Sequence, residues 1–386
     1  MSICKICGME SCDKHIAFLP KAKRIQEFSG STPPDVFIGR WNYPNVYAGI
    51  LSPDEYGDTS RLSSPEFWHS NKLAISDILS FRNKLIYARS PSNIKNPGAK
   101  FISVLQEVAM AHKPISAEFK LKKPITKNTE NAPNSPLISK AGEIQNVRLQ
   151  ENPSIKPKVE YLVNDTDVMS KDAMLELEKA DISTSSIIKL LSSGLLGKKH
   201  SRKLVPTRWA ITATDDTLSK EKLKNIRSFP EIQEIRLFHS EYLGNHYEFL
   251  LLPDKWSFEV IEISLKNNGL WKDSEGFHPR KHYADSVTGA YYVNRLALSE
   301  YLEKIKKQAS CLVFREIKPE YYSPLGVGIL RQASRESFAS QPEIFQSLPE
   351  AFSSIQSRIK TNIRTYISNS EILKNYRKQS RLSNYF

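Results

Sequence analysis

The chain has 386 residues, 40% of them apolar, which is enough to fill a sizeable core in two domains. Its longest apolar runs, such as EFLLLP, are far too short to span a bilayer, and the N-terminus lacks the apolar segment of a signal peptide. With 55 basic and 42 acidic residues the net charge is +13, which favours a polyanionic partner, nucleic acid before an anionic membrane. We expect a cytoplasmic protein with no membrane partner. The alternative to a polyanionic partner is that the positive charge only keeps the protein soluble.

Four potential metal ligands occur near the N-terminus: Cys4, Cys7, Cys12 and His15. Three sulfurs and one imidazole form an accepted tetrahedral zinc set, and the two pairs are each separated by two residues. All four ligands come from the protein, so the pattern predicts a structural Zn²⁺ that supplies the folding energy of a module over residues 1–20. A redox Cys-x2-Cys motif is the alternative, but the strand-then-helix setting of that motif is missing.

The region 21–121 is predicted to be globular and to begin with two short strands. Residues 36–38 and 46–50 are apolar runs on either side of the turn-rich segment GRWNYP, which presents Arg40 among aromatic residues. A cation beside aromatic rings suits base stacking or a cation–π contact. A rigid packed corner is the alternative.

Two helices are predicted in the rest of this region. The first is predicted in the segment SSPEFWHSNKLAISDILSFRNKLIYAR, with Ser64 as its N-cap and Pro65 at the first helical position. The second helix covers residues 98–112 and ends before Pro114.

Residues 122–157 differ in composition, because five prolines recur among Asn, Ser and Lys residues. This composition predicts a long loop or a linker between domains. The region 158–340 is then predicted to begin with a strand at KVEYLVND and to continue with a helix over 171–196.

Alternating apolar residues from 235 to 264 predict antiparallel strands, followed by a helix over 299–308 and a strand over 311–317. Cys311 in that last strand is expected to be a buried small hydrophobic residue. Helices mixed with partly antiparallel sheets predict an α+β fold.

The segment 198–208 is the densest basic cluster and contains no acidic residue. It is predicted to form a basic loop before a strand at 209–212 and a helix from about residue 217. Such a cluster suits phosphate oxygens, and Pro206 and Trp209 favour an ordered loop over a solvated one. The candidate phosphate- or nucleic-acid-binding residues are Arg40, Arg202, Lys203, Thr207 and Arg208.

Asp215 and Asp216 follow the predicted strand and either bind a metal or cap the next helix, of which capping is favoured. Four histidines of the second half lack ligand spacing such as HExxH: His239, His246, His278 and His282. The sequence also contains no Walker loop, dinucleotide fingerprint or nucleophile elbow. It therefore identifies no catalytic residue.

The region 341–370 is predicted to be an amphipathic helix, because its apolar residues recur at spacings of three and four from Leu348 to Tyr366. After it the apolar pattern decays, and residues 351–386 hold seven Lys/Arg against the single acidic residue Glu371. We predict a basic, mobile tail over 371–386.

Several of these segments together resemble the archaeal Nre family of DNA repair proteins over the chain from Cys4 to Phe386. They are the N-terminal cysteine cluster, PPDVFIGRWNYPNVYAGILSP, GAKFISVLQEVAMA, RKLVPTRWAITATDD and QSRLSNYF. The resemblance implies a role in the response to DNA damage and binding to the sliding clamp PCNA. It also implies a four-cysteine metal site, from which His15 departs while keeping a viable zinc set. The resemblance identifies no catalytic residues.

The C-terminus fits the clamp-binding (PIP) pattern Gln-x-x-aliphatic-x-x-aromatic-aromatic through Gln379, Leu382, Tyr385 and Phe386. One 3₁₀ turn would bring the aliphatic and aromatic side chains to one side, where they fill an apolar pocket. The flanking basic residues favour an acidic rim around that pocket.

Three functions are compatible with these features. The first is a repair accessory protein that binds DNA and is tethered to PCNA. The second is a metal-dependent enzyme acting on nucleic acid or nucleotides, with the segment 198–208 binding phosphate and Asp215 or Asp216 binding the metal. The third is an RNA-associated factor in which the clamp motif is accidental.

Overall fold

A computed structural model describes residues 23–127 and 140–376. Within these residues the chain forms two mixed six-stranded sheets with helices packed on them, so the predicted α+β class is confirmed. Among the described helices, none is both long and apolar enough to cross a membrane.

The first sheet has the strand order β1-β5-β6-β4-β3-β2, in which only β4 and β6 pair in parallel. Its strands are β1 (Lys23–Thr32), β2 (Val36–Ile38), β3 (Asn45–Ser52), β4 (Ile86–Asn93), β5 (Ile115–Lys127) and β6 (Ala141–Leu149). The predicted strands at 36–38 and 46–50 are thus confirmed as the antiparallel pair β2–β3.

The second sheet has the order β10-β9-β11-β8-β7-β12. Its strands are β7 (Ile235–Tyr242), β8 (Asn245–Leu252), β9 (Ser257–Ser264), β10 (Leu270–Glu275), β11 (Ser310–Ile317) and β12 (Glu343–Phe345). The predicted strands are confirmed, but β8 and β9 are not neighbours, because β11 lies between them, antiparallel to β8 and parallel to β9. Cys311 is buried in β11 as predicted, and burial raises the pKa of its thiol.

The helices surround these sheets. They are α1 (Pro65–Ser70), α2 (Ile75–Lys84), α3 (Lys100–Met110), α4 (Pro157–Asn164), α5 (Ser170–Lys179), α6 (Thr184–Ser192), α7 (Thr207–Ile226), α8 (Gly289–Ile305), α9 (Val327–Ser337), α10 (Leu348–Arg358), α11 (Ile363–Asn369) and α12 (Glu371–Tyr376). Ser64 caps α1 as predicted, since its hydroxyl accepts a hydrogen bond from the amide of Phe67. The predicted long helix then breaks near Lys72 (φ 50°), and its last residues belong to β4.

The segment 122–157 is not one long loop, which corrects the prediction for it. Strand β5 continues to Lys127 and β6 begins at Ala141, while residues 128–139 lie outside the described part. Around the start of this segment, buried Phe119 and Leu121 alternate with exposed lysines, a strand pattern that the prolines obscured.

Two predicted strands are helical. KVEYLVND forms α4, which begins at Pro157 and buries Val159 and Leu162. The strand predicted at 209–212 lies inside α7, where tertiary packing outweighs the strand preference of its β-branched residues.

Helix α7 connects two hydrophobic cores. Its Ala210 and Leu218 pack with the first sheet and α3–α6, whereas Leu223 and Ile226 pack with α8, α9 and one face of the second sheet. Helix α7 therefore spans both cores, with its N-terminal half on the first and its last residues on the second.

The C-terminal helices cover the other face of the second sheet, where Tyr366 and Ile355 contact the core that contains Phe314. The predicted helix over 341–370 is two helices, α10 and α11. The predicted tail is also shorter, because residues 371–376 form α12, whose Leu373 is buried. The buried carboxylate of Glu259 caps α12 by accepting hydrogen bonds from the backbone amides of residues 371 and 372 and from the Ser370 hydroxyl.

Candidate nucleic-acid interface

A cavity of about 460 Å³ opens beside the N-terminal half of α7. Its walls come from the β2–β3 loop, from α7, from the turn after β10 and from α8. The lining residues are Arg40, Arg208, Trp209, Thr212, Ala213, Asp216, Lys220, Arg280, Lys281, His282, Tyr283 and Tyr292. Five Lys/Arg side chains face one carboxylate, so the walls attract anions. We call this site the basic cavity.

One face of α7 forms the floor of the basic cavity. Trp209, Ala213, Asp216 and Lys220 follow one another at spacings of four, three and four residues, which places them on the same side of the helix. The strand predicted at 209–212 would have separated them.

The β2–β3 loop brings Arg40 to the cavity. The amide of Gly39 donates a 2.8 Å hydrogen bond to the carbonyl of Tyr47, and the Tyr43 ring packs against Trp209 with centroids 5.2 Å apart. The Arg40 guanidinium lies 4.8 Å from the ring centre of Trp41, which is 76% exposed. The packed corner and the exposed cation–aromatic pair therefore occur together in this loop.

Thr207 links this loop to α7. Its hydroxyl accepts a hydrogen bond from the amide of Ile38 at 2.9 Å and lies 3.0 Å from the hydroxyl of Ser192. Since the Ser192 hydroxyl donates to the Val205 carbonyl, Thr207 donates to Ser192. Thr207 does not line the cavity but holds the segments that carry Arg40 and Arg208 together.

Arg280 orders the opposite wall. Its guanidinium donates to the carboxylate of Asp273 at 2.7 Å and to the carbonyls of His282 and Tyr283. The Tyr283 ring stacks on Tyr292 with centroids 5.5 Å apart, and burial raises the pKa of Tyr292, so that its phenol stays neutral.

Asp216 is neutralised by two cations. Its carboxylate pairs with buried Arg295 and lies 2.7 Å from Lys220. Arg295 also donates to Glu275 at 2.8 Å. Burial disfavours the charge of Arg295, but Glu275 and Asp216 together raise its pKa. The cavity therefore keeps its positive character.

Asp215 faces away from the basic cavity. It is fully buried and accepts two hydrogen bonds from Arg331, of 3.0 Å from Nε and 2.7 Å from Nη2. The favoured capping role is wrong for both aspartates, because α7 begins at Thr207. The metal-ligand role assigned to them has no support, since arginine and lysine side chains occupy both carboxylates. Residues 23–127 and 140–376 contain no cluster of three or more His, Cys, Asp and Glu suited to a metal.

The structure brings together only part of the predicted phosphate site. Arg202 lies outside the cavity and donates to the carbonyls of Gly197, Val163 and Asp165, which fixes the loop before α7. Lys203 is exposed and is not a lining residue either.

Sequence reasoning missed the contribution of HPRKHY, residues 278–283. The histidines of this segment lack metal-ligand spacing, but its cations and Tyr283 repeat the mixture of basic and aromatic residues around Arg40. His282 lines the cavity. His246 is instead buried between Glu241 and Glu248, at 3.1 and 2.8 Å.

Two predicted sites lie outside the described residues. They are the zinc ligands Cys4, Cys7, Cys12 and His15, and the clamp-binding residues Gln379, Leu382, Tyr385 and Phe386.

Comparison with known proteins gives consistent matches over nearly the whole chain. The family model "Archaeal Nre, N-terminal" matches residues 5–272, and "Archaeal Nre, C-terminal" matches residues 275–385. The chain is 32% identical to "DNA repair protein NreA" of Archaeoglobus fulgidus, with 92% of each chain covered. It is also 32% identical to "DNA repair protein NreB" of the same organism, over 97% of this chain and 96% of the relative.

A third relative, "DNA repair protein NreA" of Haloferax volcanii, is 30% identical over 81% of this chain and 78% of its own length. No solved structure matches the chain. The two family models agree with the similarities to the three relatives, and the chain belongs to the archaeal Nre family.

Proposed function

We propose that this protein acts in DNA repair, binds DNA at the basic cavity and is tethered to the sliding clamp PCNA by its C-terminal motif. The observation that carries the proposal is the convergence of Arg40 and Arg208, which are 168 positions apart, in one cavity with exposed aromatic rings. Relatives similar over most of their length are named DNA repair proteins, which supports the repair role.

The chemistry of the cavity suits a nucleic acid. Arg40, Arg208, Lys220 and Lys281 offer donors to phosphate oxygens, and Trp209 and Tyr283 offer ring faces to bases. The one lining carboxylate, Asp216, is already paired with Arg295 and Lys220, so it adds little repulsion.

Two further parts of the proposal come from the sequence. The spacing of Gln379, Leu382, Tyr385 and Phe386 supports binding to PCNA. The spacing of the N-terminal cysteines and His15 supports a structural Zn²⁺.

Fluorescence anisotropy with labelled DNA tests the DNA-binding role. The double variant Arg40→Ala/Arg208→Ala should lose affinity at least tenfold and show a salt slope smaller by about one to two units. The matched control is Arg148→Ala/Arg364→Ala, which removes the same charge from exposed positions that do not line the basic cavity.

Equal affinity of the two double variants would overturn the assignment of DNA binding to the cavity. An RNA strand of the same sequence serves as a second arm at matched salt. Much tighter binding of RNA than of DNA would replace the DNA-repair proposal with the RNA-associated alternative.

A further inference from the structure

We infer that the basic cavity takes an unpaired nucleotide, stacked on an aromatic ring, and does not bind the side of an intact duplex. This inference rests on the proposed DNA-binding function and names the form of DNA that the site recognises. It is carried by the ring faces and the dimensions of the cavity, whereas the charge alone would suit any nucleic acid.

Two aromatic rings contribute exposed surface to the same cavity. Trp209 is 45% exposed and Tyr283 is 41% exposed, although large aromatic side chains are highly buried on average. Each contacts a second ring: Tyr43 is tilted by 50° against Trp209, and Tyr292 stacks on Tyr283. These contacts help to orient the two rings.

Hydrogen bonds fix the turn that carries Tyr283. Arg280 donates to the carbonyls of residues 282 and 283, and the Tyr292 hydroxyl accepts a 3.0 Å hydrogen bond from the amide of Ala284. The turn is thus fixed on both sides of the exposed ring. Tyr283 therefore combines an exposed ring with a fixed backbone.

An exposed ring face can stack only on a base whose own face is free. In an intact duplex, neighbouring base pairs cover both faces of each base, except at the ends. Proteins stack aromatic rings on bases in single strands or on bases that have been turned out of a duplex. Within a strand or a duplex, Trp209 and Tyr283 therefore find a stacking partner only in an unpaired nucleotide or in a pair at a duplex end.

The dimensions lead to the same conclusion. The basic cavity has a volume of about 460 Å³. The volume falls within the ~300–1,000 Å³ typical of small-ligand sites, and a single nucleotide fits this range.

The test compares three labelled ligands by fluorescence anisotropy with the full-length protein at one salt concentration. They are a short DNA strand, the blunt duplex of the same sequence, and that duplex with one unpaired base. The strand and the unpaired-base duplex should each bind about tenfold tighter than the blunt duplex, the gain expected from one stacked base.

Trp209→Ala and Tyr283→Ala should each lower single-strand affinity about tenfold without changing its salt slope, because a ring contributes stacking and no charge. Trp209→Phe should retain most of the affinity, which controls for folding. Tyr322→Ala, which removes a ring of similar exposure outside the cavity, should leave binding unchanged.

The outcomes separate this inference from the proposed function. Equal binding of strand and blunt duplex, with no effect of either alanine variant, would overturn the inference and leave DNA binding by the cavity intact. Binding of none of the three ligands would overturn the proposed function itself. If only the strand binds tightly, the cavity takes nucleotides from single-stranded DNA. If the unpaired-base duplex binds equally well, the cavity also accepts a base displaced from a duplex.

Discussion

The hydroxyl of Thr207, the first residue of α7, accepts a 2.9 Å hydrogen bond from the backbone amide of Ile38, the last residue of β2. Strand β2 is the edge strand of the first sheet, so this amide points away from its neighbour β3 and has no partner in the sheet. One hydroxyl thereby satisfies an edge amide and sets the distance between the two segments that bring cations to the basic cavity.

Replacement of Thr207 by valine should destabilise the protein by about 1–3 kcal/mol, because the amide of Ile38 loses its acceptor. DNA affinity should fall severalfold as well, since Arg40 and Arg208 are no longer held in register. Urea unfolding and anisotropy measure the two effects. Thr207→Ser keeps the hydroxyl and should behave like the native protein; equal behaviour of the valine and serine variants would show that the hydrogen bond has no such role.

Asp215→Ala should destabilise the protein by about 3–5 kcal/mol, because it leaves the charge of Arg331 buried without a counterion. The double variant Asp215→Leu/Arg331→Met removes both charges and should be more stable than Asp215→Ala. A thermal-unfolding cycle with each single variant measures the coupling. If Asp215→Ala unfolds like the native protein while some activity disappears, the carboxylate has a chemical role that the ion pair does not explain.

Glu336→Gln should lower stability at neutral pH by about 0.5–1 kcal/mol, after allowance for solvent screening of this half-buried group. The carboxylate lies 2.8 Å from His69 Nε2 and pairs with Lys72, joining α9 to the end of α1. Burial opposes its charge, but these two partners hold the pKa of Glu336 below its usual value.

The sign of the pH dependence follows from that lowered pKa. The stabilisation is complete above the unfolded pKa of about 4.3 and is lost as the pH falls through the lower folded pKa. Urea unfolding at pH 7 and pH 3 should therefore show a difference between native protein and variant that shrinks in acid. Exposed Glu320 provides the control, and a difference that grew in acid would contradict the assignment.

Deletion of residues 379–386 should abolish binding to PCNA in calorimetry. Both stability and DNA binding should remain unchanged, because α12 ends at Tyr376, before the deletion. The variant Tyr385→Ala/Phe386→Ala should have the same effect as the deletion, since the two rings supply most of the buried contact. Retention of PCNA binding by the shortened chain would refute the role of the motif.

Purified protein should contain about one zinc per chain, lost in Cys4→Ser. Metal analysis by mass spectrometry measures the content directly. Cys311→Ser is the matched control, because this cysteine is buried in β11 and should not affect the metal. A native protein without zinc, purified in the absence of chelators, would exclude the site.

The elements that the sequence predicts well are those whose pattern is local. The β2–β3 pair has apolar runs on both sides of a turn, and α3 has a clean helical period. The strands between residues 235 and 264 are equally recognisable, but the insertion of β11 between β8 and β9 is a long-range pairing that no local pattern encodes.

Helix α7 shows why the candidate site was predicted only in part. Its first two turns contain Trp209, Ile211 and Thr212, which favour a strand when taken alone. Burial against both cores selects the helix instead, and only the helix aligns Trp209 with Asp216 and Lys220. The density of basic residues in the segment 198–208 likewise does not distinguish the roles of two arginines. Arg202 donates to backbone carbonyls, whereas Arg208 lines the basic cavity.

The cap that Glu259 places on α12 also bears on how the protein could meet a ring-shaped partner. Glu259 of β9 holds the start of α12, the helix ends at Tyr376, and Gln379 follows three residues later. Three residues reach about 10 Å when fully extended. A clamp bound at residues 379–386 would therefore lie close to the second sheet. This short connection would limit the directions in which the rest of the protein can face DNA that passes through the clamp.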